Sequence, residues 1–178
     1  MLAGEPYFAE DPELIADRRA CRQLTERLGA AGSAADPSAR FQVLSSLFGA
    51  IGEESEVLSP FQCDYGYQIR IGTRTFLNYG AVILDSAPIV IGDDVQIGPN
   101  IQLLTPLHPL DPIERRTRHE RAEPVHIGDG AWLAAGVIVC PGVSIGADAV
   151  VGAGSVVTAD MPERHLCVGN PCRPVREL

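Results

Sequence analysis

Lysine is missing altogether: all 14 basic residues of the chain are arginines. A Schiff-base or lysine-nucleophile mechanism is therefore excluded. Positive charge is scarce as well, with 14 basic against 23 acidic residues and a formal net charge of -9. That balance repels a phosphate backbone and an anionic membrane surface alike, so neither nucleic acid nor membrane is expected as a partner. No apolar run approaches the ~20 residues of a membrane span, and the opening MLAGEPYFAEDPEL carries acids where a secretory leader needs basic residues and an apolar stretch. A cytoplasmic protein is expected. The cysteines, Cys21, Cys63, Cys140, Cys167 and Cys172, are odd in number and form no CxxC pair. They suggest neither a disulfide framework nor a zinc knuckle, and they fit a reducing compartment. At 178 residues, 46 % hydrophobic and 21 % charged, the chain suits one ordinary domain with a small appendage at most, and neither a multidomain machine nor a disordered segment.

What is present is a repeat. From Ile127 an aliphatic residue returns at every sixth position, through Leu133, Val139, Ile145 and Val151 to Val157. A second small or aliphatic series, Ala131, Val137, Val143, Ala149 and Ser155, follows four places behind the first. Six is neither helical nor hairpin spacing; it describes short strands joined by tight turns. Three hexads make one triangular coil of a left-handed parallel β-helix, with the aliphatic residue inside and Gly or Asn at the corner. The same pattern runs through Ile91, Ile97 and Leu103, with Val95, Ile101 and Leu107 as second members, and earlier through Ile71, Leu77 and Ile83. The prism is predicted from about Tyr65 to Asp160. An eight-residue step from Ile83 to Ile91 marks an insertion around Asp85, Ser86 and Ala87. Between His108 and Val125 the repeat gives way to charge and proline, which reads as a loop thrown out of the coil.

The first third differs. Asp11-Pro12-Glu13 and Asp36-Pro37 each place an N-cap Asp before a Pro at the first helical position, so two helices start there. In the second, Phe41, Leu44, Leu47, Phe48 and Ile51 recur at helical spacing and form a face that must pack on something. The resulting division is a helical cap over 1–58, a β-helix over 59–162 with a loop at 109–124, and a C-terminal segment over 163–178. The helices either cap the open edge of the first coil or touch a ligand, and the two roles are compatible.

A β-helix names no reaction, so chemistry must come from particular side chains. His119, His126 and His165 fall in polar surroundings and read as solvated. His108 stands apart, because it lies where the repeat stops and is flanked by Pro106 and Pro109. Zinc held by three histidines, as in gamma-class carbonic anhydrases, needs spacings that His108, His119 and His126 do not reproduce, and no metal is expected.

Three stretches carry a family resemblance: MLAGEPYFAEDPEL, FLNYGAVILDSAPIVIGDDVQIGPNIQLLTPLHPLDP, and the run from Val125 to Leu178. The MLAGExY opening, the FxNxG/N motif and the tripeptide ending in His108-Pro109 make nearly the whole chain similar to the maltose, galactoside and nodulation-factor O-acetyltransferases. That resemblance implies acetyl transfer from acetyl-coenzyme A (acetyl-CoA) to a hydroxyl of a sugar or sugar-like small molecule, with His108 as general base in a ternary complex. Cys140 is then unnecessary as a nucleophile. It implies acceptor binding by Asn78, Asp85 and Glu10, and coenzyme contacts from Trp132, Ala135, Ala153, Thr158, Ala159, Arg173 and Arg176. Where galactoside enzymes carry two consecutive acids, this chain has Asp85-Ser86, which moves the pattern toward maltose-type relatives. A homotrimer with three active sites between neighbouring prisms is expected. The competing readings are an acetyltransferase of the same scaffold acting on serine or an antibiotic, and a non-catalytic assembly subunit. The MLAGExY opening opposes the former, and a polar His at a coil end with a terminal Arg pair opposes the latter.

Overall fold

The six-residue aliphatic period closes into a triangular prism. In the computed structural model, which describes residues 1–31 and 36–178, the chain opens with strand β1 (Tyr7–Phe8) and helices α1 (Pro12–Ala31) and α2 (Pro37–Leu47). The first coil is β2 (Ala50–Ile51), β3 (Glu56–Val57) and β4 (Phe61–Cys63); the second is β5 (Ile69–Ile71), β6 (Phe76–Leu77) and β7 (Ala81–Leu84); the third is β8 (Ile89–Ile91), β9 (Gln96–Ile97) and β10 (Gln102–Leu104). An excursion then carries β11 (Pro106–Leu107), α3 (Pro112–Arg115) and β12 (His119–Ala122). The fourth coil is β13 (Val125–Ile127), β14 (Trp132–Leu133) and β15 (Ile138–Val139), and the fifth is β16 (Ser144–Ile145), β17 (Val150–Val151) and β18 (Val156–Val157). A partial sixth turn begins at Met161, bridged to Ile145, and continues into β19 (His165–Gly169), which folds back as β20 (Cys172–Glu177).

Each coil gives one strand to each of three parallel sheets: a first of β2, β5, β8, β13 and β16, a second through β3, β6, β9, β14 and β17 extended by β19 and β20, and a third of β4, β7, β10, β15 and β18. Equivalent hexad positions stack in register, so Ile71 lies over Ile91, Ile91 over Ile127 and Ile127 over Ile145. Ile97, Leu103, Leu133, Val139 and Val151 are at most 1 % exposed, and burying each such side chain contributes about 1.5–3 kcal/mol. The left-handed parallel β-helix read from the repeat is the architecture observed.

Three expectations change. The coil stack starts at Ala50 and not near Tyr65, because β2 and β3 pair with β5 and β6; residues 50–58 thus belong to the prism and not to the cap. Ile51 is a strand residue: α2 ends at Leu47, Phe48 is its extended C-cap, and the helical phase of Ile51 is coincidental. Ile51, Val57 and Cys63 are in fact six apart. Leu107 is only half-buried in β11, since the chain has already left the coil; the buried position is Thr105, whose hydroxyl donates to the Leu84 carbonyl at 2.6 Å.

Both predicted helix starts form. Asp36 accepts from the Ser38 amide, and Asp11 from that of Glu13 at 2.9 Å. Leu28, Leu44, Leu47 and Phe48 are buried against the first coil, with Phe48 edge-on to Phe61 at 5.5 Å. The close seat depends on Gly66, at φ +80°, where a Cβ would meet the Leu47 carbonyl oxygen at 2.4 Å. Helix α1 also brings the Cys21 thiol to 3.4 Å from that of Cys63, a proximity the spacing of the cysteines did not reveal.

Candidate active site

The three edges of the prism are not equivalent. The first edge, between first and second sheets, and the second edge, between second and third, turn tightly in every coil. The third edge, between third and first sheets, carries the insertion at Asp85–Pro88 and the excursion from Thr105 to Pro124.

His108 follows β11 at the root of that excursion. Strand β12 returns beside β11, with Leu107 opposite Arg121, and accepts β1 on its other side, with Tyr7 opposite Glu120 and Phe8 opposite His119. The N-terminus is thereby stitched to a loop more than a hundred residues away. The His108 side chain is 60 % exposed, and its Nδ1 lies 3.6 Å from Oε1 of Glu120. The Tyr7 hydroxyl donates to Oε2 of the same carboxylate at 3.0 Å. Burial pushes the Tyr7 phenol well above its usual range, so it stays protonated and acts as a donor. His108, Pro109, Glu114, Thr117 and Glu120 border a recess of about 500 Å³. A smaller one of about 320 Å³ is shared by His108, Glu10, Arg115 and Arg118.

The residues singled out from the sequence divide among places. Glu10 reaches the His108 neighbourhood but is ion-paired with Arg118. Asp85 is on the same edge, yet it is fully buried: Oδ1 accepts the amides of Asp64 and Tyr65 at 3.1 and 2.9 Å, and Oδ2 has no hydrogen-bond partner among the described residues. Asp85 thus braces the corner through Oδ1, which faces the turn of the coil below, and within one chain it is not exposed for the acceptor contact expected of it. Desolvation raises its pKa to about 6, against the two amide bonds that favour the anion. Asn78 sits on the second edge, away from His108 within one chain, with Oδ1 accepting the Tyr79 amide at 2.7 Å. Ala135 and Ala153 stack on that edge, while Thr158 and Ala159 are on the third. Trp132 projects from the second sheet and is 52 % exposed.

Arg173 and Arg176 lie on the exposed strand β20. Among the described residues neither forms an ion pair; Arg173 donates to the Cys172 carbonyl and Arg176 to that of Glu177. At two second-edge corners the backbone is open: nothing would meet a Cβ at Gly154 within 4 Å, and at Gly136 only the Gly154 backbone, at 3.9 Å, would do so. A flexible chain of amides and methylenes could lie close to peptide groups there. Among the described residues no cluster of three His, Cys, Asp or Glu side chains could hold a metal ion, and no helix is long and apolar enough to cross a membrane. His119 stacks obliquely on Phe8 at 5.9 Å, and His126 is exposed on β13. Glu120 and Tyr7 were missed in the sequence: Glu120 is one acid in an arginine-rich loop, and its partner is 113 residues away.

A β-helix capped by helices and interrupted by a histidine-rooted loop defines the hexapeptide-repeat class of acyltransferases. Residues 1–52 match the maltose acetyltransferase hexapeptide capping motif, and 124–159 match the bacterial transferase hexapeptide, six repeats. Nodulation protein L of Rhizobium meliloti is 43 % identical over 97 % of this chain and 94 % of its own length. A maltose O-acetyltransferase structure from Clostridium difficile 630 superposes with a TM-score of 0.97 at 41 % identity, covering 99 % of this chain and 94 % of that one. A hexapeptide-repeat acetyltransferase from Vibrio cholerae, complexed with acetyl-CoA, gives 0.92 at 39 % identity over 100 % and 96 %. The chain belongs to the maltose, galactoside and nodulation-factor O-acetyltransferase family.

Proposed function

We propose that this enzyme moves the acetyl group of acetyl-CoA to a hydroxyl of a maltose- or glucose-like sugar, with His108 as general base. The observation that carries the reading is His108 at the root of the excursion, facing a recess and backed by a carboxylate at 3.6 Å. A sugar hydroxyl is a weak nucleophile at neutral pH, so the imidazole takes its proton as the oxygen attacks the thioester carbon. The C–O bond forms, the C–S bond breaks, and the proton passes from the imidazolium to the departing thiolate. No acyl-enzyme is needed, and holding the two substrates together supplies much of the rate.

The working form is a homotrimer with each site between two prisms. Support comes from the split of the site residues: Asn78, Ala135 and Ala153 line the second edge, whereas His108, Thr158 and Ala159 line the third. A three-fold arrangement sets one subunit's second edge against a neighbour's third. Asn78 of one subunit then holds the acceptor near His108 of the next, and Trp132 flanks the thiol end. The pantetheine arm runs between the two prisms, and Arg173 and Arg176 meet coenzyme phosphates, a task suited to exposed guanidinium groups that form no ion pair among the described residues, in a chain of net charge -9. Action in the cytoplasm, where acetyl-CoA is made and used, completes the reading.

Subunit mixing tests it. His108→Ala and Asn78→Ala are each expected to be strongly impaired alone. When they are co-assembled at equal ratio, about a quarter of all interfaces pair an intact His108 with an intact Asn78, so about a quarter of wild-type acetylation of a responsive sugar returns. Mixed assemblies as inactive as their parents would overturn the shared site, and a monomer in light scattering would overturn the trimer. Arg173→Ala should raise the acetyl-CoA Kd by about tenfold or more with a smaller effect on saturated turnover.

A further inference from the structure

We propose that Glu120 is a positioning residue for His108, and that Tyr7 orients Glu120 for that task. The inference rests on the reading of His108 as the base. A neutral imidazole has one N–H and one lone pair, so a base is useful only if the lone pair faces the acceptor. His108 is 60 % exposed on a loop between prolines, and its one ion-pair partner among the described residues is Glu120, on the Nδ1 side. A carboxylate there accepts the Nδ1 proton and leaves Nε2 as the base. The 3.6 Å separation is longer than a hydrogen bond; such contacts tighten when substrates fill the site and exclude water.

The carboxylate is itself held. Glu120 lies on the central strand of a three-stranded sheet, opposite Tyr7, and its side chain is only 17 % exposed. Its two oxygens have separate tasks: Oε2 takes the proton of the Tyr7 hydroxyl at 3.0 Å, and Oε1 faces the imidazole. The other charged groups around His108 are engaged or more distant. Arg118 pairs with Glu10, and Arg115 donates to the carbonyls of Pro109 and Leu110. Glu114, His119 and Arg121 border the recess outside ion-pair distance of His108.

This arrangement predicts that the isosteric substitution is the more damaging one. In Glu120→Gln the amide has a single oxygen, and the Tyr7 hydroxyl, a donor, claims it. The amide NH2 is then turned toward Nδ1, which must accept, and the proton moves to Nε2 where the base should be. In Glu120→Ala the ring merely loses its guide. A purely structural Glu120 would give the opposite order, because Ala removes more packing than Gln.

The test measures steady-state acetylation and the 15N NMR tautomer of neutral His108 in the intact protein, for wild type, Glu120→Gln, Glu120→Ala and Tyr7→Phe. Wild type should show the Nδ1–H tautomer and Glu120→Gln the Nε2–H tautomer. Turnover in Glu120→Gln should fall by more than about tenfold but less than the ~10⁴ of a buried triad aspartate, with the acetyl-CoA KM within about twofold of wild type. Glu120→Ala should retain more activity than Glu120→Gln. Tyr7→Phe, in which Gln would no longer be turned, should soften the penalty when combined with Glu120→Gln. An unchanged tautomer, or turnover in both Glu120 variants within about twofold of wild type while His108→Ala is inactive, would overturn this role alone. Normal turnover in His108→Ala would overturn the reading beneath it.

Discussion

The first and third edges of the prism are built on the same repeat and do opposite things. On the first edge each coil turns through one left-handed residue, Glu54, Arg74, Asp94, Gly130 and Asp148 in succession. Stacked side chains tie each turn to the next: Ser55 donates to the Gly72 carbonyl, Thr75 to that of Gly92, and Arg74 pairs with Asp94 at 2.6 Å. A recess of about 440 Å³ opens on that edge beside Phe41, Leu44, Glu54 and Glu56, and no histidine lines it. On the third edge the first two coils step eight residues, from Cys63 to Ile71 and from Ile83 to Ile91, and the third throws out the excursion; there the chain places a buried carboxylate, a histidine and a loop that captures the N-terminus. Uniform turns supply rigidity, and interruptions of the repeat bring side chains from distant segments to one point, which is where the proposed chemistry sits.

The severest way to break this contrast is to remove the interior that both edges share. Val139 and Val151 are fully buried, and an Asp at either would bury an unpaired charge. Both variants are expected to fail to fold solubly; two soluble proteins with the wild-type Tm would mean that the register is wrong.

A finer test concerns Asp85 on the third edge. Burial lifts its carboxyl to about 6 from an ordinary 3.8, so the folded protein holds this proton more tightly than the unfolded chain does. The group is therefore least costly at low pH; its ionisation erodes stability as pH climbs from about 4 to 6, by about 3 kcal/mol in all. Asp85→Asn keeps an oxygen for the Asp64 and Tyr65 amides and cannot ionise. Denaturation of the two proteins at several pH values should show the variant gaining on wild type across that interval, with a constant gap above it. A gap independent of pH would place Asp85 in water. On the first edge, by contrast, Arg74→Ala removes an exposed ion pair and should shift Tm by no more than about 1–2 °C, with unchanged turnover.

How much of this was legible in the sequence follows the same division. Every aliphatic of the series from Ile127 to Val157 is buried as its spacing required, and the two Asp-Pro pairs start helices, since hexads and caps are local signals. The first coil was hidden because Ile51 fits a helical and a six-residue period at once. Asp85 was legible as an acid at an insertion, but not as a buried one. Glu120 was not legible as a site residue at all, because its meaning comes from a strand pairing with Tyr7 that no local pattern encodes. The family motifs reached His108, whose surroundings only the fold supplies.

The central claim is that the broken edge does the chemistry through His108, and His108→Ala tests it most directly when turnover with a sugar acceptor and acetyl-CoA affinity are measured on the same preparation. The account predicts a kcat lower by roughly a hundred- to ten-thousandfold, with acetyl-CoA binding and Tm unchanged, because an exposed imidazole on a loop meets the reacting atoms and carries little of the fold. Near-normal turnover in a folded His108→Ala protein would contradict it and move proton removal elsewhere.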